Sequence, residues 1–264
     1  MNDFKFLRTL DIYNTTSNTT NLFCFPYAGG GASAYIDWEE YLNKNTTVYR
    51  VQLPGREDRI IEKPIIQMKP LVNEIVMEIK EHMDKPIVLF GHSMGAKIAY
   101  EVALEIQSRT GVSIDYLIVS GSRAPHYKEP RPMCNLEDEA FINRLKEYSG
   151  IPEKILESRE LIDFFLPTIR SDFILDETCD ICKREPIDAP ILALHSEKDI
   201  ELKTEEVKAW ATYTKNNFNI KKFEGDHFFI KTEKEKVLTC IGEVISAVDV
   251  KFKNGGDNEH YRKS

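Results

Sequence analysis

The chain has 264 residues, 42% of them hydrophobic, with 43 Asp and Glu against 35 Lys and Arg for a formal net charge of -8. That length can bury one large α/β core, while the acidic balance argues against a nucleic-acid binder, which needs surplus Lys and Arg to meet phosphate. Every apolar run is broken well short of the roughly 18 residues a membrane span requires. The start carries no long apolar leader, and five cysteines, an odd count, fit reduced thiols. The expectation is a cytoplasmic protein that contacts neither membrane nor nucleic acid.

In chain order, residues 1–21 are largely polar, with Asn and Thr dominating from 14 to 20, and are expected to be poorly ordered. An apolar run at 22–25 predicts a strand that leads into Pro26-Tyr27-Ala28-Gly29-Gly30-Gly31. A second strand is predicted at 48–53, a helix at 71–83 and a third strand at 87–90. A helix at 96–106 and a strand at 116–119 follow. Several runs are continuously apolar rather than alternating, which suits strands covered on both faces. Strand then helix, repeated, predicts βαβ units and a mostly parallel sheet with helices on both faces.

Residues 131–183 break that alternation. No strand is predicted there, and 136–148, 152–156 and 160–173 read as amphipathic helices entered through Pro132, Pro152 and similar signals. The segment is expected to be a helical lid inserted in a single domain spanning 22–250, with Leu145, Phe164, Phe165 and Phe173 lining a tunnel beneath it. Cys179 and Cys182 form a lone C-x-x-C without the second pair that a zinc site needs, so their spacing is assigned to chance. Strands at 191–194 and 218–223, helices at 205–213 and 235–248, and a polar tail at 252–264 complete the chain.

Gly91-His92-Ser93-Met94-Gly95 fits G-x-S-x-G, with a buried strand before it and an alanine-rich helix after it. A serine on so tight a turn sits in strained backbone, and glycines on both sides give the turn room. Ser93 is therefore the candidate nucleophile. The N–H of Met94, at the start of the helix, and that of Ala28, in the glycine-rich loop, are the candidate oxyanion donors. The glycine-rich loop lacks the Gly-Lys-Ser/Thr ending of a phosphate cradle.

A serine needs a base, and the base needs an acid that holds its tautomer. In this architecture the chain order is Ser, then Asp or Glu, then His. Of six histidines, His82 and His260 are expected on the surface and His92 turned away from the serine. His126 and His195 precede the acid position or fall too close to it. His227, on a Gly-containing loop after the last strand, is the candidate base. Asp199, in Ser196-Glu197-Lys198-Asp199 after the 191–194 strand, is the preferred acid. Glu197 is its nearest rival, Asp226 is disfavoured, and Asp172 would serve only if the acid came from the insertion.

Taken together, these stretches resemble the type II thioesterases, stand-alone enzymes of the α/β-hydrolase fold that work beside nonribosomal peptide and polyketide synthases. The resemblance rests on Phe25-Pro26-Tyr27-Ala28-Gly29-Gly30, Val51-Gln52-Leu53-Pro54-Gly55-Arg56-Glu57 and Gly91-His92-Ser93-Met94-Gly95-Ala96. Leu166-Pro167-Thr168-Ile169-Arg170-Ser171-Asp172-Phe173 and Gly225-Asp226-His227-Phe228-Phe229 complete it. It implies hydrolysis of acyl, aminoacyl or peptidyl thioesters on the phosphopantetheine arm of an acyl or peptidyl carrier protein, which clears misprimed or stalled units, with no metal and no cofactor. An acidic carrier would meet a local basic surface, for which Arg123, Lys128, Arg131, Arg144 and Lys146 are candidates by position. The alternative is a general carboxylesterase or lipase that uses the same residues on small esters.

Overall fold

The computed structural model describes residues 4–10, 19–147, 153–179 and 185–254. Their centre is a seven-stranded sheet of β1 (Leu7–Arg8), β2 (Thr20–Phe25), β3 (Thr46–Val51), β4 (Ile87–His92), β5 (Tyr116–Ser120), β6 (Ile191–Ser196) and β7 (Phe218–Phe223). The spatial order is β1-β3-β2-β4-β5-β6-β7. β1 runs antiparallel to β3, and every other neighbouring pair is parallel. This is the mostly parallel sheet that the alternation predicts, and it agrees with the α/β-hydrolase fold that the resemblance implies. β2, β3, β4 and β6 are buried along their whole length, because helices cover both faces.

One face is covered by α1 (Met68–Ile79) and α2 (Met94–Thr110), and the other by α8 (Lys234–Asn254). α2 turns Ala96, Ala99 and Ala103 into the core, which brings its axis close to the sheet. It ends at Gly111, whose φ of 70° only glycine adopts cheaply and whose N–H closes on the Gln107 carbonyl at 2.9 Å. Between β5 and β6 lie α3 (Asp138–Leu145), α4 (Glu153–Glu157) and α5 (Arg159–Glu177). These helices carry an apolar cluster of their own, built on Met133, Phe141, Ile142, Leu145, Ile162, Leu166 and Ile169. After β6 come α6 (Thr204–Lys208) and a 3-10 turn at Ala209–Tyr213; α7 (Phe229–Thr232) follows β7.

The structure departs from expectation at both chain ends. Residues placed in a poorly ordered 1–21 segment include β1 and the fully buried Phe6. Glu78 of α1 anchors this strand, accepting the backbone N–H groups of Lys5, Phe6 and Leu7 at 2.8, 2.9 and 3.1 Å. β2 begins at Thr20 rather than at residue 22, because the polar Thr20 and Asn21 find partners inside, Asp249 and the His82 carbonyl. α8 continues to Asn254, past the predicted 248 and into the expected polar tail. Tyr148, Pro152, Cys182 and His260 lie outside the described residues.

The chain order fixes where a site forms. From β2 the chain moves to β3 on one side, and β4 then pairs on the other side of β2. Open α/β sheets bind ligands at such a reversal, outside the carboxyl ends of the strands. Here those ends are Phe25, which pairs with Gly91, and His92.

Candidate active site

Ser93 stands between β4 and α2 with φ 54° and ψ -120°, in a left-handed region that a residue with a side chain rarely adopts. Two hydrogen bonds hold the turn: the Ser93 N–H donates to the Ser120 carbonyl at 2.8 Å, and the Ala96 N–H to the Ser93 carbonyl at 3.0 Å. The flanking glycines are set by close approach. A Cβ on Gly91 would stand 2.1 Å from the Gly95 carbonyl oxygen, and one on Gly95 2.2 Å from the Phe25 carbonyl oxygen. Met94 opens α2, where the first backbone N–H groups lack partners within the helix.

The opposite wall is the glycine-rich loop. Its Gly30 N–H closes on the Tyr27 carbonyl at 2.9 Å and Gly29 has φ 78°, the pattern of a type II turn with Ala28 and Gly29 at its centre. Ala28 thus sits at the apex beside Phe25 and Pro26, against which Gly95 packs.

His227 and Asp199 come from loops after β7 and β6. The His227 Nδ1–H donates to Asp199 Oδ2 at 2.7 Å, and the Glu201 N–H donates to Asp199 Oδ1 at 2.9 Å. The Asp199 side chain is fully buried and that of His227 is 11% exposed. Ser196 Oγ donates to the Gly225 carbonyl, which ties the two loops together. Ser93 and His227 line one narrow cleft of about 50 Å³. The rival acids lie elsewhere. Glu197 is an exposed ion-pair partner of Lys222 on β7, which holds its carboxyl below the usual range. Asp226 accepts the Phe228 N–H at 2.8 Å, and Asp172 pairs with Arg56 at 2.7 Å.

The other described histidines are structural. His92 is fully buried beneath the site, with its ring centroid 5.0 Å from that of His227 and Nδ1 3.0 Å from Ser120 Oγ. Burial pushes its imidazole well below the ordinary histidine range. Gly121 makes room for it, since a Cβ there would stand 2.5 Å from His92 Cε1. His195 meets Thr204 Oγ1 at 3.1 Å and His126 meets the Tyr213 hydroxyl at 2.9 Å. His82, expected on the surface, instead packs among Phe4, Phe23 and Tyr49, where burial lowers its basicity. Among the described residues, no group of three or more His, Cys, Asp or Glu is arranged to hold a metal ion. No helix among them is long and apolar enough to cross a membrane.

The expected tunnel needs correction. Only Phe173 of the four aromatic and aliphatic candidates lines the cleft. Leu145 belongs to the apolar cluster of the helices between β5 and β6, Phe165 packs against that cluster and Phe164 is 60% exposed. The cleft walls are largely polar, with Lys97 of α2 paired to Asp176 of α5 at 2.9 Å. The proposed basic surface is also largely engaged. Arg123 is buried against Glu129 and Glu206, Arg131 pairs with Glu201 and Glu147, and Arg144 with Glu147. Lys128 and Lys146 remain exposed.

Gln52, Arg56 and Glu57, to which the sequence assigns no role, brace the glycine-rich loop from behind. Gln52 Oε1 accepts the Ala32 N–H at 2.7 Å, Glu57 Oε1 accepts the Ser33 hydroxyl at 2.6 Å, and Arg56 donates to the Gly30 carbonyl at 2.9 Å. The signal in the sequence is a Gln, an Arg and a Glu crowded around Pro54-Gly55, directly after a buried strand.

A model of the thioesterase domain family matches residues 20–245. Over 218 residues the chain is 36% identical to the gramicidin S biosynthesis protein GrsT of Aneurinibacillus migulanus, with 82% of this chain and 85% of that protein covered. Among solved structures it is similar to RedJ, a thioesterase from the prodiginine biosynthetic pathway in Streptomyces coelicolor, with TM-score 0.79, 36% identity and 85% of each chain covered. It is also similar to BorB, a type II thioesterase from the borrelidin biosynthetic cluster, with TM-score 0.79, 30% identity, and 90% of this chain and 95% of that chain covered.

Proposed function

The chain belongs to the thioesterase family, and from that membership we propose a serine mechanism in which Ser93, His227 and Asp199 cleave thioesters borne by a carrier protein. The enzyme is a type II thioesterase of nonribosomal peptide or polyketide synthesis, a hydrolase of acyl, aminoacyl or peptidyl thioesters. It works in the cytoplasm on the phosphopantetheine arm of an acyl or peptidyl carrier protein, removing misprimed or stalled units. The observation that carries the mechanism is the 2.7 Å bond from His227 Nδ1–H to Asp199, with Ser93 lining the same cleft.

That bond fixes the tautomer. With its proton on Nδ1, the imidazole keeps the Nε2 lone pair for the Ser93 hydroxyl. Ser93 Oγ attacks the thioester carbonyl carbon while its proton passes to Nε2, and the Met94 and Ala28 N–H groups receive the oxyanion. Collapse of the tetrahedral intermediate breaks the C–S bond and releases the pantetheine thiol, which takes the proton from His227. Water, deprotonated by the same imidazole, then attacks the acyl-enzyme carbonyl; the Ser93 Oγ–C bond breaks as Oγ takes the proton back from His227, and the carboxylic acid leaves. Buried Asp199 stabilises the imidazolium formed in each step.

The test is hydrolysis of acyl groups loaded on a carrier protein, followed by mass spectrometry, beside p-nitrophenyl ester hydrolysis. Faster turnover of the carrier thioester, lost in Ser93→Ala, is the expected result. Wild-type turnover by Ser93→Ala overturns the mechanism, and a preference for free esters overturns the carrier assignment.

A further inference from the structure

Asp172 lies on α5, 116 residues from Arg56, and is 2% exposed. Its Oδ2 accepts the Gly29 backbone N–H at 2.7 Å and Arg56 Nη1 at 2.7 Å, while Oδ1 accepts Arg56 Nη2 at 2.7 Å. Arg56 Nη1 also donates to the Gly30 carbonyl at 2.9 Å. A forked ion pair inside the protein therefore holds two consecutive residues of the glycine-rich loop, one by its N–H and the other by its carbonyl. Thr168, one turn before Asp172, donates to the Gly55 carbonyl at 2.8 Å and so anchors α5 to the loop that carries Arg56.

We propose that Asp172, held by Arg56, is a positioning residue for the reaction: it sets the peptide plane that follows Ala28 and so aims the Ala28 N–H at the oxyanion. This rests on the serine mechanism above. Three consecutive glycines give the loop more backbone freedom than any other sequence would, and an oxyanion donor is useful only when its direction is fixed before reaction. The Ala28–Gly29 peptide is rigid and planar, so fixing its N–H end on a carboxylate restricts the ψ of Ala28. The turn closed by Gly30 and Tyr27 transmits that restriction to the Ala28 N–H. Bonds to a charged carboxylate hold this geometry more strongly than neutral ones. The part of α5 that bears Asp172 thereby belongs to the catalytic scaffold.

Three variants and two inhibitors test the assignment: Asp172→Ala, Asp172→Asn, and the double variant Arg56→Met/Asp172→Leu. The double variant replaces the buried ion pair with apolar side chains, an exchange that commonly keeps stability, but leaves the Gly29 N–H without its acceptor. One inhibitor is a trifluoromethyl ketone analogue of an acyl-pantetheine. Ser93 Oγ adds to its carbonyl carbon, the hydroxyl proton moves to His227 and the carbonyl electron pair becomes an oxyanion in the hole. The other is the matching thioether, which has no carbonyl.

Asp172→Ala and the double variant are expected to lose about 30-fold or more in kcat, with KM within about threefold and ketone affinity falling in parallel. Thioether affinity should not change, the double variant should melt close to wild type, and Asp172→Asn, which keeps one acceptor oxygen, should lose less. Wild-type kcat in the double variant, or lost kcat with unchanged ketone affinity, overturns the assignment and leaves the serine mechanism standing. A ketone that fails to inhibit the wild-type enzyme overturns both.

Discussion

The imidazole of His227 donates from Nδ1 to Oδ2 of Asp199 at 2.7 Å, although the two residues leave different strands and stand 28 positions apart. Asp199 is buried behind the imidazole, and Glu197, two residues earlier, is drawn outward by Lys222. Asp199→Asn preserves shape but presents an amide that can hold the wrong imidazole tautomer, so kcat is expected to fall by about 10⁴-fold. Glu197→Gln should stay within about twofold of wild type. Steady-state hydrolysis of an acyl-pantetheine decides between them, and the opposite ranking would move the acid role to Glu197.

Ser93 carries backbone strain that a glycine in the same place would relieve. Strain of this kind costs on the order of 1–3 kcal/mol, partly offset by the greater freedom of unfolded glycine. Ser93→Gly should therefore be inactive yet more stable than wild type by about 1 kcal/mol in urea unfolding, while Ser93→Ala gains nothing comparable. Equal stabilities for the two variants would show that the turn holds no such strain.

Gly91 faces a backbone carbonyl that cannot step aside, since a Cβ there would come within 2.1 Å of it. Gly91→Ala is expected to cost about 3 kcal/mol, at the upper end of ordinary overpacking. Gly242 on α8, with nothing within 4 Å of a Cβ, supplies the contrast. Gly242→Ala should be neutral or slightly stabilising in a helix interior. A denaturant midpoint for each variant tests the pair, and comparable losses at both sites would contradict the close approach.

Burial holds His92, His195 and His82 below the ordinary histidine range. In the unfolded chain the same side chains take up protons near about pH 6.5. The unfolded state therefore binds more protons below that pH, and stability is complete above it and lost as pH falls toward the depressed folded values. Urea unfolding between pH 7.5 and 5.5 should show this decline, with a shallower slope in His92→Gln. A stability profile that rises toward acid over this range would reverse the sign of the argument.

Phe173 and Phe164 sit on the same helix and meet different surroundings. Phe173→Ala opens the cleft that Ser93 and His227 line, and is expected to change KM severalfold toward apolar acyl groups. Phe164→Ala removes a ring that is 60% exposed, and should leave both kinetics and stability within about 0.5 kcal/mol of wild type. A panel of acyl-pantetheines of increasing length separates the two, and a larger effect at Phe164 would place the acyl group outside the cleft.

What the sequence determined by itself is what neighbouring residues enforce on one another. The continuously apolar runs suit strands covered on both faces, and the bounds read for the last strand, Phe218–Phe223, are those observed. Gly91-His92-Ser93-Met94-Gly95 specified its own turn, because the steric demand that excludes side chains on either side of Ser93 is local. The order of Ser93, Asp199 and His227 followed from the same architecture. The sequence preferred Asp199 to Glu197, but only the tertiary structure shows that Asp199 meets the His227 imidazole while Glu197, on the same short loop, turns outward to Lys222. Tertiary structure alone put Leu7–Arg8 on the sheet edge, buried Arg123 among carboxylates, and turned Phe173 inward and Phe164 outward. The bond from the Gly29 N–H to the Asp172 carboxylate joins residues 143 positions apart. Such a contact is selected by the packing of a whole helix against a whole loop, and a linear pattern of side chains carries no record of which distant backbone amide a buried carboxylate will meet.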